Sequence, residues 1–225
     1  MPTGAVETHE VGRAEGQGSQ TKGAQTRRTI LKAAIARFGR DGYRSTSVAD
    51  IARDASVGGT VAYAYFPNKE ALFFAAVDKD VAAVIGEAVA TVTEITPDLS
   101  RWHTTMIYSL VESVERHPLA RRLLAGLEPE VTLRVLELPA LMELRKACIE
   151  LLRSGQAHGS VRPDIDPAVI GNGIISIMLA LLMAVTQLGN QTAVSYAPDV
   201  VAVLEAALKE SAAPGPPGPD AAASR

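Results

Sequence analysis

A chain of 225 residues with 47% apolar content can bury a real core in one or two domains. Its 4% aromatic content, beside abundant Ala, Leu and Val, favours helix over sheet. The net charge of −3 conceals a split: residues 22–69 hold nine Lys/Arg against Asp41, Asp50 and Asp54, a balance of +6, and the rest carries −9. A basic N-terminal module on an acidic body fits a polyanion partner at one end. One cysteine, Cys148, excludes an internal disulfide, and four scattered histidines lack zinc spacing, so no metal and no cofactor is expected.

Residues 1–21 are rich in Gly, Gln, Thr and Ser and are expected to form a disordered arm, with Arg13 and Lys22 available to phosphates. A helix follows from about Lys22 to Asp41, with Ile30, Leu31, Ala34, Ile35 and Phe38 as its apolar stripe and Gly39 and Gly42 at its end. Phe38 and Tyr43 read as core. Ser47 and Asp50 match a capping pattern that opens a second helix, whose Val48, Ile51, Ala52 and Ala55 share one face. A turn at Ser56-Val57-Gly58-Gly59 leads to a short third helix, about Gly59 to Phe66, bearing Thr60, Tyr63 and Tyr65. Pro67 stops it, and Asn68 caps the next helix, which has Lys69 and Glu70 in its first turn. Two helices crossing at a small-residue turn form a helix-turn-helix, whose second helix can lie in a DNA major groove.

The register Thr46-Ser47-Val48-x-Asp50-Ile51-Ala52, Ala55-Ser56-Val57 and Tyr63-x-Tyr65-Phe66-x-Asn68-Lys69-Glu70-x-Leu72 resembles the DNA-binding domain of the tetracycline-repressor (TetR) family. The likeness extends back through Thr26-Arg27-Arg28-x-Ile30-Leu31-x-Ala33-Ala34, Phe38 and Gly42-Tyr43. This chain has Ser56-Val57-Gly58 where many members have Gly-Val-Ser, and Thr60-Val61-Ala62-Tyr63 where many have Gly-Thr-Leu-Tyr. The resemblance implies an all-α fold: a helix-turn-helix domain over 22–68, a helical effector-binding and dimerisation domain over 69–210, and a disordered Pro/Gly-rich tail over 211–225. It further implies a homodimeric repressor released from a palindromic double-stranded DNA operator by a small-molecule effector. By position in the family pattern, Thr46 or Ser47, Tyr63, Tyr65 and Lys69 are expected on phosphates, and Gly59, Thr60 and Val61 on bases. Gly58 and Gly59 would permit close backbone approach. With no Arg, Asn or Gln on the third helix, direct readout is expected to be shared with DNA shape.

The body reads as helices over about 68–93, 98–117, 119–126 and 129–157, the last with a kink at Pro139. Two more are expected over 166–188, capped by Asp164 or Asp166 with Pro167 in first position, and over 198–209. The helix 166–188 is apolar nearly all round, with the small residues Gly171, Gly173, Ser176 and Ala180, so it needs cover on several sides. Its Ile170, Ile174, Ile177, Met178 and Leu181, with Val200, Leu204 and Leu208 of the last helix, are expected to form a two-fold four-helix interface. Candidate effector contacts are Trp102, His103, Met106, Tyr108 and Glu112, with Leu141, Met142, Arg145 and Cys148 on a later helix.

The run Ile174 to Val185 is about a dozen residues, shorter than a bilayer needs, and the N-terminus has no apolar signal core, so a cytoplasmic protein with no membrane partner is expected. Nucleophile elbow, P-loop and dinucleotide fingerprint are all missing, and the acid pairs Asp164/Asp166 and Glu128/Glu130 flank prolines as helix caps, which disfavours an enzyme. An activator or effector-independent regulator of the same fold has the same sequence signature.

Overall fold

A computed structural model describes residues 11–95, 102–129, 137–189 and 191–209, with side chains from Lys22 onward except 93–95, 102–103 and 192–194. The described residues include the α-helices α1 (Val11–Asp41), α2 (Val48–Asp54), α3 (Gly59–Tyr65), α4 (Lys69–Ile95), α5 (Trp102–Arg116), α6 (Pro118–Leu124), α7 (Pro139–Ala157), α8 (Pro167–Leu188) and α9 (Gln191–Leu208). They divide into two compact units. The first holds residues 11–84 and 114–129, the second 85–95, 102–113, 137–189 and 191–209.

The first unit is built on an aromatic nucleus. Phe38 and Phe73 are fully buried, meet edge to face at 5.0 Å, and share Tyr43, whose ring lies 4.9 Å from that of Phe73. Ile30, Ile51, Leu72 and Val77 close around them. Such pairs add about 1 kcal/mol beyond the area they bury. α1 ends on Gly42 at φ 82°, whose N–H donates to the Phe38 carbonyl at 2.9 Å, a left-handed cap that suits glycine. α6 packs on α1 at Gly39, where a Cβ would stand 2.8 Å from Pro118 Cβ, so only glycine allows this approach.

In the second unit α8 packs against α7 and α9. Asp166 caps α8 by accepting the Ala168 N–H at 2.8 Å, ahead of Pro167 in the first turn. Gln156 Nε2 donates to the carbonyls of Arg162 and Ile165, and Arg162 N–H donates to Leu208 O at 2.9 Å, so the 158–166 connection is tied at both ends.

Three element boundaries and the place of one acid depart from the sequence reading. α1 begins at Val11, so residues 11–21 of the expected disordered arm are helical: extending an established helix adds one hydrogen bond per residue without a new nucleus. Pro139 opens α7 as a first-turn residue rather than kinking a longer helix, because its missing N–H costs nothing there. Pro198 lies inside α9, which starts seven residues earlier, at Gln191. Glu128 is buried rather than a surface helix cap, accepting Arg122 Nε at 2.7 Å and the Tyr43 N–H at 3.0 Å. The arm residues 1–10, the tail 211–225 and Glu130 lie outside the described residues.

Candidate nucleic-acid interface

Ser47 sets the geometry of the two-helix motif. In extended backbone at the N-cap of α2, its Oγ accepts the Asp50 N–H at 3.1 Å and donates to Asp50 Oδ2 at 2.6 Å. This hydroxyl bond is the main reason that the Asp50 carboxyl sits below its ordinary pKa, with Arg37 and Arg53 adding to it. Asp54, at the other end of α2, is bound by both guanidinium arms of Arg37 on α1, which lowers its pKa and fixes α2 on α1.

The turn closes in a Schellman arrangement: Ser56 N–H donates to Arg53 O at 3.0 Å and Val57 N–H to Ala52 O at 2.9 Å. Ser56 takes the left-handed conformation, φ 54°, which a glycine adopts more easily. α3 then presents one buried residue, Ala62, and leaves Gly59, Thr60, Val61, Tyr63 and Ala64 in the open, Tyr63 at 52% exposure. A Cβ on Gly59 would meet nothing within 4 Å, and one on Gly58 only Val61 at 3.8 Å, so the start of α3 is unobstructed. Phe66 plugs the core below α3, with the Arg27 guanidinium 5.1 Å above its ring. Asn68 Oδ1 accepts the Ala71 N–H at 2.7 Å and starts α4.

A family profile, described as bacterial regulatory proteins of the tetR family, matches residues 30–76, from the middle of α1 through the start of α4. Over these residues the chain is similar to the TetR family. The matched span is that of a DNA-binding helix-turn-helix region. Solved structures share the helical fold over most of the chain. Salmonella enterica GusR is 21% identical with a TM-score of 0.61, over 82% of this chain and 95% of that one. The fatty acid degradation regulator FadR from Bacillus halodurans is 21% identical with a TM-score of 0.57, over 80% and 91%. FadR from Bacillus subtilis, in complex with stearoyl-CoA, is 18% identical with a TM-score of 0.61, over 80% and 97%. At these identities the likeness speaks for the all-helical fold alone. No curated protein sequence matches this chain.

Against the TetR-type expectations, the structure places the reading-head residues unevenly. Ser47, Gly58, Gly59, Thr60, Val61 and Tyr63 are exposed around α2 and α3. Tyr65 is half-buried toward α1, its hydroxyl 3.4 Å from where a Gly23 Cβ would stand. Lys69 is half-buried too, 4.4 Å over the Tyr43 ring and 3.4 Å from the Arg44 carbonyl. Thr46 is a correction: it is 2% exposed, and its hydroxyl donates to Gly42 O at 2.8 Å, closing the chain reversal between α1 and α2. Its polarity serves the turn, and it cannot reach a phosphate.

The expected effector contacts differ in exposure. Tyr108, Glu112 and Met142 are exposed, Met106 and Arg145 half-buried, Leu141 and Cys148 buried, and the side chains of Trp102 and His103 lie outside the described residues. Burial pushes the Cys148 thiol upward in pKa, away from reactivity. The expected dimer contacts divide. Ile174, Met178, Leu181, Leu204 and Leu208 are buried within the chain itself, because α7, α8 and α9 pack on one another. Ile170 and Val200 are half-buried, and Ile177 is exposed. The uncovered apolar residues are instead Val169, Ile177, Ala180 and Leu188 on α8, at helical spacing, and Tyr196 and Val203 on α9. α8 is long and apolar enough to cross a membrane by composition, at a mean hydropathy of 2.3, and a third of that window is buried in the chain.

Sequence reasoning missed one buried polar centre. Asp80 of α4 is 3% exposed; its Oδ2 accepts the N–H groups of Leu119 and Ala120 at 3.1 and 2.9 Å, and its Oδ1 faces His117 Nδ1 at 2.8 Å. It thus caps α6 from a different helix. The one available signal was a lone acid at an inward position of α4, between Val77 and Val84.

Proposed function

We propose that this chain is a homodimeric cytoplasmic repressor that holds an approximately palindromic operator and leaves it when a small-molecule effector binds. The carrying observation is α3: a short helix based on the buried Ala62 and Phe66, with Thr60, Val61 and Tyr63 exposed and without a side-chain bond among the described residues. Tyr63, Ser47, Tyr65 and Lys69 hold phosphates and set register, Thr60 reads a base edge, and Val61 meets a thymine methyl. Gly58 and Gly59 let the backbone approach the groove closely.

The dimer is supported by the uncovered stripe of Val169, Ile177, Ala180 and Leu188 beside Tyr196 and Val203. A second copy covers it and sets two α3 helices about 34–36 Å apart, one turn of the duplex. The helical body supplies the effector site, as the stearoyl-CoA complex of the Bacillus subtilis relative suggests by analogy. To release DNA, the effector has to bind the DNA-incompetent arrangement more tightly.

Selection of bound duplexes from a random pool tests this reading. It predicts enrichment of an inverted repeat with half-site centres one turn apart, and release of that duplex by a member of a metabolite panel. Recovery of no common sequence would refute it.

A further inference from the structure

The reading helices are poor in positive charge. Residues 48–65, which include α2 and α3, hold Asp50 and Asp54 against Arg53, a balance of −1, and α3 has no charged residue at all. Phosphate attraction usually supplies most sequence-independent affinity for DNA. In this protein it has to come from elsewhere.

Five cations of the first unit are tied to acids. Arg37 is tied to Asp54, Arg40 to Asp41, Arg53 to Asp50, Arg121 to Glu115 and Arg122 to Glu128. Lys22, Arg28 and Lys32 are exposed and have no acidic partner among the described residues. All three lie on α1, and no acidic residue occurs between Lys22 and Asp41. The middle of α1, where Lys22 and Arg28 lie, adjoins α3. The space a Gly23 Cβ would fill is 3.4 Å from the Tyr65 hydroxyl, and Arg27 reaches over Phe66, the residue that follows α3. Lys22, next to Gly23 in the chain, therefore lies on the stretch of α1 that adjoins the C-terminal end of the reading helix, with Arg28 within the next two turns.

We propose that the middle of α1, through Lys22, Arg27 and Arg28 with Lys32 one turn on, is the main phosphate-gripping surface, clasping the sugar-phosphate backbone beside the groove that α3 enters. This rests on the reading of α3 given above and divides the labour within it. α3 discriminates with neutral groups, while α1 supplies the salt-dependent affinity. The stacking of Arg27 on Phe66 couples the two, because one ring seats α3 in the core and orients a guanidinium toward the backbone.

Fluorescence anisotropy on the full chain tests the division, using the selected duplex and a scrambled one from 50 to 200 mM salt. The variants are Lys22→Ala/Arg28→Ala, Arg28→Lys and, as a control, the exposed Lys79→Ala on α4. In a dimer the double variant removes four phosphate contacts, so the slope of log affinity against log salt should fall by about 4. Affinity for both duplexes should drop by the same factor, about tenfold or more, with their ratio unchanged. Arg28→Lys and Lys79→Ala should keep the native slope, and Arg28→Lys, which retains the charge, shows whether the fold is intact at that position. An unchanged slope in the double variant, a loss confined to the selected duplex, or an equal loss in Lys79→Ala overturns the proposal. Wild-type protein that binds no duplex at any salt overturns this and the repressor reading together. Wild-type binding and selection with a native slope in the double variant overturns only this one.

Discussion

Removing the Asp80 carboxylate gives the sharpest test of how the first unit is held together. Asp80→Ala leaves the N–H groups of Leu119 and Ala120 without an acceptor, in a place where the two residues are 0% and 3% exposed and water cannot replace it. It also deprives His117 Nδ1 of its partner at 2.8 Å. Each buried donor left unsatisfied costs about 1–3 kcal/mol, so the two backbone groups and the ring together predict a loss of roughly 3–5 kcal/mol. Asp80→Asn keeps one carbonyl oxygen for the backbone donors and should lose roughly half as much. Urea unfolding at fixed protein concentration, followed by far-ultraviolet circular dichroism, measures both, since a dimer's midpoint depends on concentration. A change below about 1 kcal/mol for Asp80→Ala would refute the view that this carboxylate is the cap of α6.

Other perturbations address separate parts of the structure. Ser56→Gly should stabilise by up to about 1 kcal/mol, since glycine relieves the left-handed strain at φ 54° at some cost in chain entropy, and a lower thermal midpoint would contradict the turn geometry. Ala180→Glu should place a charge on the uncovered stripe of α8 and yield monomers in light scattering, so a dimer mass would count against that interface. Asp54 and Asp50 have folded pKa values below their unfolded ones, so the unfolded chain binds more protons as they titrate. Their contribution is therefore present above about pH 4 and lost as pH falls through the folded values, with Asp54→Asn flattening the acid limb of the stability curve.

The local rules of the sequence reached far into the fold, because helix ends are decided by nearby residues. The Ser47 cap, the stop at Pro67, the Asn68 cap and the Asp166-Pro167 start all stand where their chemistry placed them. The failures come from distance. Thr46 shares a surface-looking stretch with Ser47, yet its hydroxyl is drawn inward by a carbonyl four residues back. Glu128 and Asp80 look like ordinary surface acids until residues about forty to eighty-five positions away supply their donors. Pro198 and Pro139 were each given the wrong side of a helix boundary, since a proline is tolerated both at a first turn and, with a lost bond, inside. The apolar periodicity of α8 showed that the helix is buried but not which face its own chain covers. Ile174, Met178 and Leu181 went inward, and Val169 and Leu188 stayed out.

The central claim is that the outward face of α3 reads the duplex. Competition binding of wild type and Thr60→Ala to the selected duplex and to all its single-base-pair variants measures this directly. The account predicts that wild type discriminates at symmetric positions in both half-sites, and that Thr60→Ala loses about 1 kcal/mol of discrimination at one base pair in each, with the others unchanged. An identical ranking of variants by the two proteins, or preferences that ignore the two-fold symmetry, would contradict it.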